Sequence, residues 1–202
     1  MPWAPDYVTT EELTDYARIG DSVDDVQAAL AVTAASAAVN NHCNRQFGQV
    51  AAPEARKYTA RWSCRLSRWV IDIDDLQTAA GLVIQIGGIP VTLYDLEPVN
   101  AVAKKGAWTR LSVRPGSAVQ PTGEPYEVDG TAAWGWLAIP TVAKQATLLQ
   151  GSRFLSRRDS PFGIAGSPDQ GSELRLLSRV DPDVAVVLGA GPPYVRARGV
   201  GW

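Results

Sequence analysis

The chain has 202 residues, a length that fits one domain or one domain with an insertion, and 46% of them are hydrophobic, enough to bury a core. Nineteen Lys and Arg against 21 Asp and Glu leave a formal charge of -2, which excludes the overall basic character of a dedicated DNA-binding domain. The two cysteines do not indicate a disulfide framework, and no apolar run approaches the roughly 20 residues of a membrane span. We therefore expect a soluble protein, without membrane contact, that is made in the cytoplasm.

The first 25 residues are acidic, with seven acids against one base, Arg18. Two adjacent threonines followed by two glutamates predict a short helix that begins near residue 9 and ends near Arg18, because hydroxyls and acids stabilise helix starts. Between residues 45 and 68 the charge reverses, with six bases against one acid. Segments of opposite sign suit a protein that binds charged partners or copies of itself, and they suit two solvated surfaces equally well.

A second helix is predicted from about residue 22 to 43, where the chain is rich in alanine and lacks Gly and Pro from 23 to 41. Alanines on the other faces of this helix allow contacts on several sides, either within one fold or between subunits. Apolar residues at steps of three and four form one apolar stripe, made of Val23, Val26, Leu30, Ala34 and Ala37.

The middle of the chain consists of short β-prone runs separated by Gly and Pro. Turn signals such as Gly87-Gly88 recur about every ten residues, which predicts an antiparallel sheet or a small barrel. Strands are predicted at residues 56–60, 69–73, 82–86, 91–94, 108–113 and 131–136.

The last third is mostly helical. A helix is predicted from residue 141 to 158, and its last turn carries Arg157 and Arg158, where cations complement the helix dipole. A Gly- and Pro-rich loop follows, and Asp181 caps a last short helix. Residues 189–202 are expected to be disordered unless a partner holds them.

Residue types that carry catalysis are sparse. A Ser-His-Asp arrangement would have to use His42, the single histidine, which we interpret as a hydrogen-bonding residue at a helix end. Asp72 and Asp74, two apart on a predicted strand, would point the same way and share a divalent cation with Asp75 nearby. A polar strand face that ends in an Asp-rich turn is the preferred interpretation. We therefore predict no enzyme activity, no cofactor and no metal site.

Seven tryptophans are many for this length. Trp134 and Trp136 are able to stack on sugars or bases or to anchor an interface, but we interpret them as core residues of the β segment. Trp3 and Trp202, at opposite ends of the chain, fit partner contact better. A carbohydrate- or nucleic-acid-binding module that uses the tryptophans and the bases between residues 56 and 68 is an alternative function.

Several segments resemble one protein family. Residues 136–150 read WLAIPTVAKQATLLQ, followed by RRDSPFGIAG at 157–166 and DPDV at 181–184. The acidic helix, the alanine-rich helix and CNRQF at 43–47 precede them. These features resemble the head-to-tail connector proteins, also called adaptor or head-completion proteins, of long-tailed bacteriophages, particularly those that infect actinobacteria.

The resemblance implies an α+β fold, a helical bundle with an inserted antiparallel β-sheet or small barrel. Residues 1–47 and 138–188 would form the helical core. Residues 48–137 would form the β-rich insertion, and residues 189–202 would form a flexible C-terminal arm. The resemblance covers residues 8–47 and 134–188, so nothing specific is implied for the β-rich middle.

The resemblance implies that this chain forms a ring beneath the portal in the virion neck. The ring is expected to be dodecameric, like the portal. The ring would extend the DNA channel, let phage DNA pass without sequence-specific binding, and bind a stopper or tail-completion protein. A tail-completion or terminator role in the same virion is the alternative. Acids of the first helices are expected to meet bases of a neighbouring subunit. The candidate contact residues are Asp15, Asp24, Asp25, Arg45, Arg153, Arg157, Arg158, Phe162 and Trp202.

Overall fold

The computed structural model describes residues 5–18, 25–158, 164–165, 174–175 and 181–196. The chain divides into two units. A helical unit combines Pro5–Arg45 with Ile139–Trp202, and a β unit comprises Gln46–Ala138. In the part of the chain that is described, no helix has both the length and the apolar character needed to cross a bilayer.

The described residues of the helical unit form four helices and a two-stranded antiparallel ribbon, and α2 and α3 pack against each other. The helices are α1 (Thr10–Ala17), α2 (Asp25–Cys43), α3 (Thr141–Arg158) and α4 (Pro182–Leu188), and the ribbon pairs Ile164–Ala165 with Leu174–Arg175.

Local signals define α1. The Thr9 hydroxyl accepts a hydrogen bond from the backbone N–H of Glu12 at 3.1 Å, and the Glu12 carboxylate accepts one from the Thr9 N–H at 2.8 Å. This reciprocal pair satisfies two backbone donors that have no partner inside the helix. Arg18 adopts a left-handed conformation and ends the helix. The predicted start and end of this helix are confirmed.

The apolar stripe of α2 is not the side that packs within the chain. Val26 and Leu30 are 72% and 61% exposed, and Ala34 and Ala37 are exposed as well. The fifth member, Val23, lies outside the described residues. The buried face consists instead of Ala28, Ala31, Val32, Ala35, Ser36, Val39 and Cys43. Because alanine occurs on almost every face of this helix, apolar spacing does not distinguish the face that packs, and the smaller side chains allow closer helix approach.

The end of the described chain is attached to the rest of the helical unit. Asp181 caps α4 through the Asp183 N–H and forms an ion pair with Arg153 at 2.9 Å. The Arg196 N–H donates to the Cys43 carbonyl at 2.8 Å, and the Arg45 guanidinium donates to the Pro193 carbonyl at 2.8 Å. Residues 189–196 of the predicted flexible arm are thus hydrogen-bonded to the end of α2, and residues 197–202 lie outside the described residues.

The β unit contains two four-stranded antiparallel sheets, with strand orders β2-β3-β7-β6 and β1-β8-β4-β5. The strands are β1 (Glu54–Tyr58), β2 (Ala60–Ser63), β3 (Arg68–Leu76), β4 (Val83–Ile86), β5 (Ile89–Pro90), β6 (Tyr94–Glu97), β7 (Trp108–Val113) and β8 (Val128–Ala132). One hydrophobic cluster takes side chains from both sheets, among them Ile71 and Leu111 from the first and Ile84 and Val128 from the second. The β1 and β2 strands are separated by Thr59 alone, so the chain passes from one sheet to the other there.

The predicted fold class, a helical bundle with an inserted sheet or barrel, is wrong. The protein is β-rich and is built mainly from the two antiparallel sheets, which have a core of their own. The expected helical bundle was based on the helical segments that carry the family resemblance. Sheet formation depends on pairs far apart in sequence, such as Glu54 with Ala132, and apolar spacing does not reveal such pairs.

The two cysteines differ in solvent exposure, which predicts a difference in the reactivity of their thiols. Burial raises the pKa of the Cys43 thiol to about 12, whereas Cys64 is exposed. Because the thiolate is the reactive form, we expect one thiol per chain to react with Ellman's reagent in the native protein near pH 8, and two after denaturation. A Cys64→Ser variant should show no fast-reacting thiol. Two fast thiols in the native protein would contradict the burial of Cys43.

Candidate interaction surfaces

The acidic residues predicted as a possible cation site are each engaged by protein groups. The Asp72 carboxylate forms ion pairs with Arg61 at 2.7 Å and Arg110 at 3.0 Å. The Asp74 carboxylate pairs with Arg56 at 2.7 Å and accepts a hydrogen bond from the Tyr58 hydroxyl.

The third acid, Asp75, is buried and accepts a 2.7 Å hydrogen bond from the Trp136 indole. Within the described ranges, no group of three or more His, Cys, Asp or Glu side chains is arranged to hold a metal ion. All three acids lie within β3, and Asp75 is buried, so the Asp-rich turn expected at the end of the strand is wrong.

Ion pairs continue across the outer face of the sheet formed by β2, β3, β7 and β6. Arg110 lies between Asp72 and Glu97, and Asp95 is contacted by both Arg68 and Arg114. The hydrogen bond from Arg114, together with the charge of Arg68, outweighs partial burial and holds the pKa of the Asp95 carboxyl below its usual range.

The basic segment between residues 45 and 68 is therefore largely neutralised inside the chain. Arg56, Arg61 and Arg68 each have a carboxylate partner in the β unit. A nucleic-acid-binding surface needs bases that are free to contact phosphates, so this arrangement weighs against the nucleic-acid-binding alternative.

The tryptophans divide into buried and exposed members. Trp134 and Trp136 are fully buried, and edge-to-face contacts with Tyr58 and Phe47 hold them in place. Their interpretation as core residues is confirmed, and neither offers a free ring to a sugar or base. Trp3 and Trp202 lie outside the described residues.

One tryptophan is prominent on the surface. Trp62 is 51% exposed and packs edge-to-face on Trp69. The turn between β2 and β3 follows it, where Arg65 and Leu66 are also exposed. We call residues 62–66 the hairpin tip. Trp and Arg are frequent anchors of protein interfaces, so the tip is a candidate partner contact that the sequence did not distinguish from the other tryptophans.

The predicted contact residues fall into four groups. Asp15 and Asp25 are exposed on α1 and at the start of α2. Arg45 and Arg153 are partly buried and bind Pro193 and Asp181 in the same chain, so the structure gives them a role inside the helical unit. Asp24, Phe162 and Trp202 lie outside the described residues, and Arg157 and Arg158 are the last two residues of α3.

The exposed apolar side of α2 is a surface that the sequence did not identify, because alanines on its other faces allowed contacts within one fold or between subunits. We call Val26, Leu30, Ala34 and Ala37 the α2 face. Beside it runs a shallow groove between α2 and α3, lined by Gln27, Leu30, Ala31, Ala34, Phe154 and Leu155.

The surfaces described here are suited to protein contacts, namely an apolar helix face, an aromatic hairpin tip and exposed acids on α1 and α2. In the described part of the chain, catalytic side chains do not cluster at these surfaces. Comparison with protein-family models, with curated proteins and with solved structures gives no match to this chain.

Proposed function

We propose that this chain is a structural virion protein, a head-to-tail connector that forms a ring under the portal of a long-tailed bacteriophage. The ring would join the DNA-filled head to the tail and extend the DNA channel. The observation that carries the proposal is the pairing of α2 with α3. These helices belong to the two segments that resemble connector proteins, and the whole β unit separates them in sequence.

The character of the surfaces supports an assembly role. The acids that would have been candidates for metal chemistry are occupied by arginine and tryptophan side chains. The α2 face leaves four apolar residues in solvent, an arrangement that marks interaction sites on proteins more often than chance exposure does. Ring assembly requires each subunit to offer such surfaces to its neighbours.

Exposed acids at the start of the helical unit add an electrostatic component. Asp15 and Asp25 face solvent, and in a ring they would meet bases of a neighbouring subunit or of the portal. Such pairs act mainly on orientation and on the rate of association. In this proposal DNA passes through the lumen without sequence-specific contacts.

The test is cryo-electron microscopy of the purified chain, alone and mixed with the portal protein of the same phage. We expect a ring on the tail-facing end of the portal. Density on purified tail tubes instead would assign the tail-completion role, and binding to neither would contradict the proposal. Reversing Asp24 and Asp25 to Lys should weaken ring assembly. Glu124→Lys, which reverses one exposed acid of the β unit, is the control for Asp24→Lys and Asp25→Lys made singly.

A further inference from the structure

We propose that the β6–β7 loop of one copy binds the outer face of α1 of a second copy, so that copies associate head to tail. This inference rests on the proposed ring and deepens it, because it names the two surfaces that meet. The loop belongs to the β unit, and α1 belongs to the helical unit. Both surfaces are exposed and held in shape by hydrogen bonds, and they carry opposite charge.

The β6–β7 loop is an exposed turn that carries both apolar and basic side chains. We call residues 98–105 the lysine loop. Val99 is 76% exposed and Val102 is 39% exposed. Lys104 and Lys105, which follow them in the chain, are exposed as well. Exposed apolar side chains bordered by charged ones are typical of surfaces that bind another protein.

Hydrogen bonds hold the lysine loop in one conformation. The Lys104 N–H donates to the Asn100 carbonyl at 3.1 Å. The Gly106 N–H donates to the carbonyl of the buried Ala101 at 2.8 Å. The Gly106 carbonyl in turn accepts a hydrogen bond from the Gln77 side chain at 3.1 Å. A loop that is ordered before binding loses little conformational entropy on contact, so it offers its side chains as a preformed surface.

The outer face of α1 has the complementary character. Glu11 and Asp15 are exposed and four residues apart, so they lie on one side of the helix. Tyr16, which is 42% exposed, borders them, whereas Leu13 is turned into the helical unit and is fully buried. The α1 face therefore combines two carboxylates with an aromatic ring, and the lysine loop combines two ammonium groups with two valines.

Ion pairing inside the chain leaves the charges of these two surfaces without partners. Most bases of the β unit pair with carboxylates of the same unit, as Lys57 does with Asp129 at 2.7 Å. Among the described residues, the two ammonium groups of the lysine loop and the carboxylates of Glu11 and Asp15 form no ion pair. Contact between loop and helix is therefore attractive, whereas loop against loop or α1 against α1 is repulsive.

A contact of this kind has the symmetry that a ring requires. The lysine loop and α1 are different surfaces, so two copies in contact leave one loop and one helix free. Further copies add at those free surfaces until the ring closes. A contact between identical surfaces would stop at a dimer instead.

Charge reversal and its rescue test the inference with the full-length chain. The loop variant combines Lys104→Glu with Lys105→Glu, and the helix variant combines Glu11→Lys with Asp15→Lys. Sedimentation velocity at about 100 µM protein and about 50 mM salt measures association, since low salt limits the screening of exposed charges. We expect the wild-type chain to associate and each variant alone to bind about tenfold more weakly. An equimolar mixture of the two variants should recover most of the wild-type affinity, because opposite charges meet again.

The matched control mixture replaces the helix variant by a chain with Glu124→Lys and Asp183→Lys, which reverses two exposed acids elsewhere. If net charge alone drove association, this chain would rescue the loop variant as well as the helix variant does. All the substituted side chains are exposed, so each variant should keep the circular dichroism spectrum of the wild-type chain.

A wild-type chain that does not associate, or a loop variant that associates as the wild type does, would overturn the inference. Equal rescue by the control mixture would overturn it too. A loop variant that associates normally but loses binding to a labelled DNA duplex would assign the lysines to phosphate contacts instead.

No portal is present in this experiment, so its failure is distinct from failure of the proposed function. A complete ring of the loop variant on the portal would overturn only the choice of surfaces. Rescued association without portal binding would remove only the connector role.

Discussion

Gly135→Ala is expected to destabilise the β unit by at least about 3 kcal/mol, which combines backbone strain with an overpacked contact. Gly135 has a φ of +116°, which favours glycine. A Cβ atom at this position would lie 2.0 Å from the Gly48 carbonyl oxygen and 2.7 Å from the Gln49 Cα. Both obstacles are backbone atoms, so no side-chain rotation relieves the clash.

The position matters because three segments of the β unit meet there. The Gly135 N–H donates to the Asp75 carbonyl, and the Gln77 N–H donates to the Gly135 carbonyl. The neighbouring Trp136 N–H donates to the Gly48 carbonyl. Moving this backbone would also displace the two buried tryptophans on either side. We therefore expect the loss to appear as unfolding of the β unit and not as a local adjustment.

Urea unfolding followed by tryptophan fluorescence measures the effect, since the buried Trp134 and Trp136 lie in the β unit. Gly116→Ala is the matched control. Gly116 also has a positive φ, +90°, but a Cβ there would meet nothing within 4 Å, so only the conformational cost of about 1–2 kcal/mol is expected. Equal urea midpoints for the two variants would show that position 135 tolerates a methyl group. That result would contradict the prediction.

Leu13→Ala is expected to destabilise the helical unit by about 2–5 kcal/mol. Leu13 is the fully buried residue of α1 and belongs to a cluster with Val8, Val32 and Leu155. It packs over Gly151 of α3 so closely that a Cβ at Gly151 would lie 3.0 Å from the Leu13 side chain. Truncation would leave a cavity at the junction of α1 and α3, and the surrounding helices would collapse into it only in part.

The matched control is Leu30→Ala, the same substitution in the same unit at an exposed position. We expect it to change the free energy of unfolding of the isolated chain by less than about 1 kcal/mol. Thermal or urea unfolding followed by far-UV circular dichroism compares the two variants. Similar losses for both would mean that Leu30 contributes to the core of the single chain. That result would also argue against a free α2 face.

Local chemistry explains which elements were predicted well. The start of α1 follows from Thr9 and Glu12, and the predicted range of α3 agrees with Thr141–Arg158. The β7 strand, Trp108–Val113, was also predicted at its observed bounds. In each case the signal lies in residues close together in the chain, such as the capping groups of α1 or the prolines and glycines that flank β7.

Strands whose pairing is decided by distant partners were predicted less well. The β2 and β5 strands were missed, and β8 was placed three residues too late, at 131–136 instead of Val128–Ala132. Arg61 and Trp62 of β2 are both exposed, so this strand lacks an apolar pattern of its own. Its position depends on β3, to which it is hydrogen-bonded.

The candidate cation site at Asp72 and Asp74 shows the same difference between local spacing and long-range partners. The proximity of Asp72 and Asp74 follows from their spacing on one strand, but their partners come from other strands, β1, β2 and β7. Whether two carboxylates hold a cation or an arginine is decided by those partners. Spacing along a single strand contains no information about them.

The sequence by itself determined the helix caps, the positions of most helices and the change from helical to β-rich texture, because these depend on interactions over a few residues. It also supplied the resemblance on which the proposed function rests. Only the tertiary structure decided which face of α2 is buried and that Arg56, Arg61 and Arg68 of the basic segment are paired with carboxylates. These outcomes depend on contacts between residues far apart in the chain, which exist only once the sheets and helices have packed.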